Sequence, residues 1–305
     1  ASRRREDRGR ALPNYVGIPP VPYLGPAYLG LNYEPFTVYG NPNAPEFKVP
    51  NLTMAGDAAG VARLRSRLTL REQFDHMRQA LDLKGSMNVL DTFEEQAWQM
   101  LTSPATRDAF DLSQEDPRLR DRYGRTSWGQ QCLMARRLVE SGVDLVTTSL
   151  AGPEAGRVHN WDDHAVNHHV FDAMKARAGN FDQAVTTLIE DLHERGLDRR
   201  VLVVVTGEFG RTPKISYAEG RPGRDHWPLA TSMLFAGGGM RTGQVIGRTD
   251  SRGEQVVERR VGVADFLATI YRHLGLEAHD LVFNDFSGRP IPVPVDAAPI
   301  AELCG

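Results

Sequence analysis

The sequence predicts an α/β protein that contains parallel strands. Two short runs, residues 143–150 and 199–207, are typical of buried strands, and the second contains five consecutive apolar residues, Val201–Val205. A long amphipathic stretch lies between them. Strands that are apolar on both faces are typical of parallel sheets covered by helices. A strand–helix–strand order joins parallel strands by a right-handed crossover. We therefore predict one α/β domain over residues 1–305, with its functional groups in the last part.

The first part of this domain, residues 1–60, is predicted to be an irregular segment. Its prolines are too dense for regular helices, and its many tyrosines argue against disorder. We expect this segment to wrap over a larger body and to bury its aromatic rings there. A proline-rich ligand for a partner protein is the alternative interpretation.

Helices are predicted over the next part, residues 61–141. Apolar residues recur at helical spacing in VARLRSRLTLREQFDHMRQAL and in TFEEQAWQMLTS. In SWGQQCLMARRLVESG, Ser127 and Gln130 fit a capping box at the start of a helix, and Gly142 fits its end. These features indicate a scaffold, and nothing catalytic shows in their spacing.

The last part, residues 142–305, holds the strand–helix–strand unit. Its helix is predicted to bury a stripe of apolar residues three or four apart: Phe171, Met174, Ala178, Phe181, Val185, Leu188 and Leu192. TSMLFAGGG is a third strand that ends in a tight glycine turn, and VGVADFLATIYRHLG is a closing amphipathic helix. Three strands are few for an α/β chain of this length. Either further strands lie in the proline-rich segment, or part of the sheet is missing.

The composition argues against several classes of function. A net charge of −3 gives no global electrostatic reason to bind nucleic acid or anionic lipid. No apolar run approaches the roughly 18–20 residues of a membrane span, and no apolar region follows the basic start to make it a signal peptide. Cys132 and Cys304 are too few for a disulfide framework or a cysteine zinc site, although they could form one bridge.

The loop after the first predicted strand is rich in side chains that bind metals. Imidazole and carboxylate groups together are the ligands expected for zinc, manganese or iron. An Asp-x-His spacing puts two ligands on one side of an extended segment. The alternative interpretation is a polar helix start capped by one of the two aspartates. The loop, AGPEAGRVHNWDDHAVNHH, holds His159, Asp162, Asp163, His164, His168 and His169.

A second polar cluster, TGEFGRTPKISYAEGRPGRDHWP, follows the second predicted strand. Ligands of open parallel sheets bind beyond the carboxyl ends of the strands, so we expect both clusters at one sheet edge. Glu208 and His226 are candidate metal ligands, and Asp225 is either a ligand or a group that orients an imidazole. Arg211 and Arg224 suit an anionic substrate, because a guanidinium matches phosphate or sulfate. The alternative for Glu208 is a salt bridge to either arginine.

Several motifs resemble a large bacterial family described as domain of unknown function 1501. They are GEFGRTPKI, GRDHWP, AGGGM, GQVIGRTD, DFLATIYRHLG and GRPIPV, and WDDH resembles the middle section of that family. The family is grouped with the alkaline phosphatase and sulfatase superfamily. The resemblance implies a three-layer αβα fold, one or two metal ions at the strand ends, and hydrolysis of phosphate or sulfate esters. It also implies a location in the periplasm or cell envelope.

The resemblance also implies the ligands of one divalent metal ion. Asp162, His164, Glu208 and His226 would bind it, with zinc as the first expectation and manganese, calcium or magnesium as alternatives. Phe209 stands where relatives carry a second ligand. Family members have a further N-terminal portion with a first strand. The resemblance implies that this chain lacks that portion, so that the fold is incomplete on that side. The chain would then be a fragment, a processed product, or a divergent member in which another chain supplies the missing part of the sheet.

Two hypotheses about function follow. The first is a metal-dependent hydrolase of phosphate or sulfate esters, in which this chain carries the C-terminal part of the site. Arg211 and Arg224 would offset the charge that develops on the substrate oxygens. The second is a non-catalytic envelope or assembly protein that keeps the fold, with or without a structural metal.

Overall fold

The computed structural model describes residues 12–19, 21, 25, 33–49, 103–151, 161–277, 281–285, 287–293 and 297–304. Outside these residues lie His159, the helix predicted over 61–81 and, except for Ser103, the helix predicted over 92–103. The chain groups into two compact units, and the prediction of a single domain stays a prediction. One unit is Ser2–Leu119 with Leu133–Ser149, and the other is Arg120–Cys132 with Leu150–Gly305 and Ala1.

The first unit contains a three-stranded parallel sheet. Its strands β1 (Tyr15–Ile18), β2 (Phe36–Thr37) and β3 (Leu145–Thr148) lie in the order β2-β1-β3. Both pairings are parallel, and Val16 pairs with Phe36 and with Val146. A strand at 143–150 in a parallel sheet is therefore confirmed, but its sheet is formed with β1 and β2. The predicted parallel unit with the strand at 199–207 is wrong, because that strand belongs to a different, antiparallel sheet. The proline-rich segment supplies two strands, β1 and β2. This agrees with the first of the two explanations for the small number of predicted strands, namely that further strands lie in that segment.

Packing in the proline-rich segment is uneven. The ring of Phe36 meets that of Phe110 edge-on at 5.8 Å, and the Tyr15 hydroxyl lies 3.3 Å from Thr147 Oγ1. Tyr39, by contrast, is 63% exposed. The prediction that this segment buries its aromatic rings thus fits Phe36 and Tyr15 but not Tyr39.

Over the described residues 103–140, the chain forms three helices and one 3₁₀ turn. They are α1 (Pro104–Phe110), the 3₁₀ turn Leu112–Gln114, α2 (Pro117–Tyr123) and α3 (Ser127–Glu140). The predicted capping box of α3 is wrong. Thr126 Oγ1 accepts the Gly129 backbone N–H, while the Gln130 side chain donates to the carbonyls of Arg120 and Gly124. The helix ends as predicted, because Gly142 follows it with a φ of +105° that favours glycine.

A buried ion-pair cluster ties α3 to the 3₁₀ region within the first unit. The Glu115 carboxylate forms ion pairs with Arg136, whose Nη2 lies 2.9 Å away, and with Arg137. Burial raises the pKa of Glu115, but the two guanidinium groups outweigh burial and leave the pKa below its ordinary value. The carboxylate is therefore held in its charged form inside the protein.

The second unit contains the long predicted helix, α4 (Val170–Glu194), which ends before Gly196 as expected. His169 caps it by accepting the Asp172 backbone N–H at 3.4 Å, so neither Asp162 nor Asp163 is the cap. The predicted apolar stripe is only partly buried, because Phe171 is 59% and Met174 44% exposed. Polar residues occupy the buried face in their place, and they include Arg177, Thr187 and Asp191.

Strand β4 (Leu202–Val205) pairs antiparallel with β9 (Leu234–Gly237). Both strands were predicted, but the parallel arrangement was not correct for this pair. Because β9 runs against β4, the glycine turn after β9 lies at the start of β4, away from the predicted sheet edge. Gly238 N–H donates to the Val201 carbonyl at 2.8 Å, and the turn is the tight one predicted.

Short antiparallel ribbons connect β4 to β9 and continue beyond it. They pair β5 (Gly210–Arg211) with β8 (His226–Trp227), β6 (Ser216–Ala218) with β7 (Arg221–Gly223), β10 (Arg248–Thr249) with β11 (Val256–Glu258), and β12 (Val282–Asn284) with β13 (Pro290–Pro292). The predicted closing helix is α5 (Val263–His273), and α6 (Ala301–Cys304) ends the described chain. This mixture of helices and small sheets is compatible with the α/β class.

Two further findings bear on the sequence predictions. Cys132 is buried and Cys304 half-buried, and both are free cysteines, so they form no bridge with each other. Among the described helices, none combines the length and the apolar character that a membrane crossing requires.

Candidate metal centre

The WDDH segment, residues 161–164, is fixed by alternate side chains. The Trp161 indole stacks on Trp128 at 5.9 Å and meets Phe181 edge-on at 5.5 Å. Its Nε1–H donates to the Leu150 carbonyl at 2.7 Å. Asp163 is buried and forms an ion pair with the equally buried Arg177 of α4, with Nη1 and Oδ1 3.1 Å apart. Trp161 and Asp163 thus fix the segment, and the alternate residues Asp162 and His164 remain available as ligands.

A glycine lets the second polar cluster pack directly on this segment. A Cβ atom at Gly223 would lie 1.9 Å from the backbone nitrogen of Ala165, far inside the roughly 3.5–4.0 Å of normal contact. The next residue, Arg224, donates its backbone N–H to the Asp163 carbonyl at 2.9 Å. The chain around His226 is thus held against the chain around His164.

The β5–β8 ribbon then sets the positions of two functional side chains. Arg211 pairs in register with His226 across this ribbon. A Cβ atom at Gly210 would lie 1.9 Å from the Ala230 carbonyl oxygen, so this position also requires glycine. Close backbone contacts at Gly210 and Gly223 thus explain two of the glycines in this loop.

Three potential ligand atoms form a compact triangle at the surface. His226 Nε2 lies 2.8 Å from Asp162 Oδ1, and His164 Nε2 lies 3.1 Å from the same oxygen. The two imidazole nitrogens are 3.2 Å apart. Within the described part of the chain, Asp162, His164 and His226 form the group that could hold a metal ion.

Asp225 orients one of the imidazoles. Its Oδ1 lies 2.8 Å from His164 Nδ1, and its backbone N–H donates to Thr212 Oγ1 at 3.0 Å. The hydrogen bond with His164 is the main cause that lowers the pKa of Asp225, so this carboxylate stays charged. A proton held on Nδ1 leaves the lone pair of His164 Nε2 directed at the triangle.

Arg211 lies beside the triangle. Its Nη1–H donates to Asp162 Oδ1 at 2.5 Å, and its guanidinium lies 5.5 Å from the centre of the Phe209 ring. The Phe209 ring also packs against the His226 ring, with 4.2 Å between their centroids. Desolvation raises the pKa of Asp162, but the hydrogen bonds from Arg211 and His226 outweigh it and bring the pKa to about 2.

Comparison with known sequences gives the family. Residues 5–304 match the family described as protein of unknown function DUF1501. The chain belongs to the DUF1501 family. No curated protein and no solved structure matches it. The resemblance seen in the motifs is thereby confirmed at the level of the family.

Not all candidate residues of this DUF1501 chain are brought together. Asp162, His164 and His226 meet, with Arg211 in contact with them. Glu208 is exposed and lies outside the triangle found among the described residues. Arg224 is half-buried, and its backbone rather than its side chain makes the contact with Asp163.

Outside the triangle, the two described histidines of the DUF1501 loop have structural positions. His168 Nδ1 lies 3.8 Å from the buried Asp163, and His169 caps α4. The sequence alone did not indicate the Asp163–Arg177 pair or the two contacts of Phe209. Only the tryptophan beside the aspartates hinted that part of WDDH faces the interior.

The donor chemistry and spacing of the triangle fit a divalent transition ion. Ligands of a tetrahedral Zn²⁺ at about 2.0–2.1 Å lie about 3.3 Å apart, and octahedral ligands at the same distance lie about 2.9 Å apart. The observed separations of 2.8–3.2 Å fall close to both values. Two imidazoles and one carboxylate suit zinc, manganese or iron better than magnesium or calcium, which prefer oxygen ligands.

Proposed function

We propose that this chain is the metal-binding part of a metal-dependent hydrolase of phosphate or sulfate esters. The observation that carries the proposal is the three-atom triangle of Asp162, His164 and His226 with the Arg211 guanidinium in direct contact. The triangle supplies the ligands for a cation, and the guanidinium supplies a partner for an anion. One surface thus offers both groups that an anionic ester needs.

The accessibility of the site favours catalysis over a purely structural metal. Structural zinc sites are closed by four protein ligands, whereas catalytic sites keep three protein ligands and one open position. Here the described residues give three, and the side chains of His226 and Asp162 are 48% and 36% exposed. A substrate can therefore approach the triangle from solvent.

Each side chain has a definite task in this proposal. Asp162, His164 and His226 hold the ion, which when bound polarises the ester and stabilises the attacking oxygen. Asp225 keeps a proton on His164 Nδ1, so that Nε2 remains a ligand. Arg211, supported by the Phe209 ring, binds a substrate oxygen and offsets its charge.

Three predicted features belong to the same proposal. Glu208 and Arg224 stay candidates for a ligand and an anion-binding group, since both lie on the loop that carries Arg211 and His226. The DUF1501 motifs support a three-layer αβα fold of the alkaline phosphatase type. They also support a periplasmic or envelope location.

Metal analysis combined with turnover tests the proposal. The protein is loaded with Zn²⁺ or Mn²⁺, its metal content is measured by mass spectrometry, and it is assayed with aryl phosphates and aryl sulfates. We expect bound metal and turnover, both lost in His226→Ala and both kept in the loop control Arg221→Gln. Glu208→Ala separately shows whether that carboxylate takes part.

The alternative function is a non-catalytic envelope or assembly protein that keeps the fold, with or without a structural metal. The absence of Glu208 from the triangle favours it, because the predicted ligand set is then incomplete among the described residues. Bound metal without turnover under full loading supports this alternative with a structural metal. No bound metal refutes the hydrolase and leaves the alternative without a metal.

A further inference from the structure

A single oxygen atom is shared by the anion-binding and metal-binding groups. Asp162 Oδ1 accepts from Arg211 Nη1 at 2.5 Å and lies 2.8 Å from His226 Nε2 and 3.1 Å from His164 Nε2. It is both a corner of the triangle and the partner of the guanidinium. A cation held by the triangle and the charge of Arg211 would therefore lie on the same oxygen.

The charges at this oxygen set up a competition. Asp162 carries one negative charge, whereas a divalent ion and a guanidinium together bring three positive charges. The guanidinium is permanently charged, so it cannot relieve the repulsion by losing a proton. Asp225 adds negative charge, but its contact is with the far nitrogen of His164.

Arg211 also has the means to turn towards another anion. Its planar fork carries five N–H donors, of which Nη1 is the one bonded to Asp162. The Phe209 ring lies 5.5 Å from the guanidinium carbon and holds the group near the site whether or not Asp162 is its partner. An oxyanion at the site can thus take over the guanidinium.

We propose that Arg211 couples metal binding to anion binding at this site. The guanidinium opposes the cation when no anion is present, and an oxyanion relieves that opposition by pairing with Arg211. The two ligands then strengthen each other by the same factor, as linkage requires. This inference rests on the proposed function, because it concerns the binding of the same metal and the same class of anion at the same site.

Calorimetric titration with Zn²⁺ tests the coupling without any turnover. Zn²⁺ is titrated in the presence and absence of inorganic sulfate at constant ionic strength. In the wild-type protein we expect sulfate to tighten Zn²⁺ binding severalfold. Arg211→Gln should bind Zn²⁺ about three- to tenfold more tightly than wild type without sulfate, because an opposing charge is gone. Its response to sulfate should fall below about twofold.

Two further variants complete the experiment. Arg211→Lys keeps the charge but not the planar fork, so its Zn²⁺ affinity without sulfate should stay near wild type while the sulfate effect shrinks. Arg221→Gln removes an arginine of the same loop that pairs with Glu219, and it should behave as wild type. Thermal melts show whether each variant is folded before it is titrated.

The outcomes separate this inference from the proposed function. If Arg211→Gln binds Zn²⁺ more weakly than wild type, or equally, the guanidinium does not oppose the cation and the coupling is refuted. Turnover and metal content of the wild type can still be positive in that case. If the wild type binds no Zn²⁺, the coupling is refuted for this ion, and if it binds neither Zn²⁺ nor Mn²⁺, the proposed function fails as well.

Discussion

Gly223→Ala tests how the two halves of the candidate site are held together. The added Cβ would lie 1.9 Å from Ala165 N, 2.5 Å from Ala165 Cα and 2.6 Å from the His164 carbonyl carbon. Backbone atoms cannot rotate away, so the two segments must separate by about 1–2 Å to reach normal contact. Overpacking costs about 1–3 kcal/mol, and loss of the hydrogen bond from the Arg224 backbone N–H to Asp163 costs about 1 kcal/mol more.

We therefore expect Gly223→Ala to lower the free energy of unfolding by about 2–4 kcal/mol, measured in urea. Zn²⁺ affinity should fall at least tenfold where the protein remains folded, because His226 lies on one side of the contact and Asp162 and His164 on the other. The matched control is Gly179→Ala in α4, where an added Cβ meets nothing within 4 Å.

In the control, the same added methyl group should change the free energy of unfolding in the opposite direction. A glycine inside a helix is destabilising by roughly 0.5–1 kcal/mol relative to alanine, so Gly179→Ala should stabilise by that amount. An unfolding free energy of Gly223→Ala within about 0.5 kcal/mol of wild type, together with unchanged Zn²⁺ affinity, would refute the close contact.

Three further predictions follow from contacts described above. Arg177→Ala leaves the Asp163 carboxylate buried without its partner, so the unfolding free energy should drop by about 3–5 kcal/mol in urea; an effect below 1 kcal/mol would contradict the buried pair. Asp225→Asn removes the carboxylate that orients His164, and calorimetry should show Zn²⁺ affinity about 10- to 100-fold weaker with an unchanged melting temperature. Glu115 has a lowered pKa in the folded state, so its stabilising effect is complete above its ordinary value near 4.5 and is lost as pH falls through the folded value. Acid titration of unfolding should show this loss in wild type, and a slope equal to that of Glu115→Gln would contradict it.

Residue type and local position allowed the centre of the site to be predicted. Asp162, His164 and His226 combine the donors that transition metals prefer, in loops that follow apolar strands. Their meeting depends on a contact between segments 62 residues apart along the chain. The requirement for glycine at position 223 is not visible in a sequence, because the atom that would clash belongs to the distant segment.

The errors about the fold have a common physical cause. Periodicity identifies an apolar stripe, but it does not show what covers the stripe. Phe171 and Met174 lie exposed, while Arg177 and Asp191 are buried on α4 because each finds a partner: Asp163 for the first and the Tyr123 hydroxyl, at 2.8 Å, for the second. In the same way, the apolar residues of β4 gave no sign that its partner runs antiparallel.

The rings of Trp128, Trp161 and Phe181 pack together and fix the start of the segment that carries the candidate ligands Asp162 and His164. A substitution at Phe181 changes none of the candidate ligands, yet it should loosen the packing of Trp161, the residue before Asp162. A screen for weakened Zn²⁺ binding should therefore also return positions on α4 such as Phe181, and a stability measurement would distinguish a loosened aromatic stack from a changed ligand.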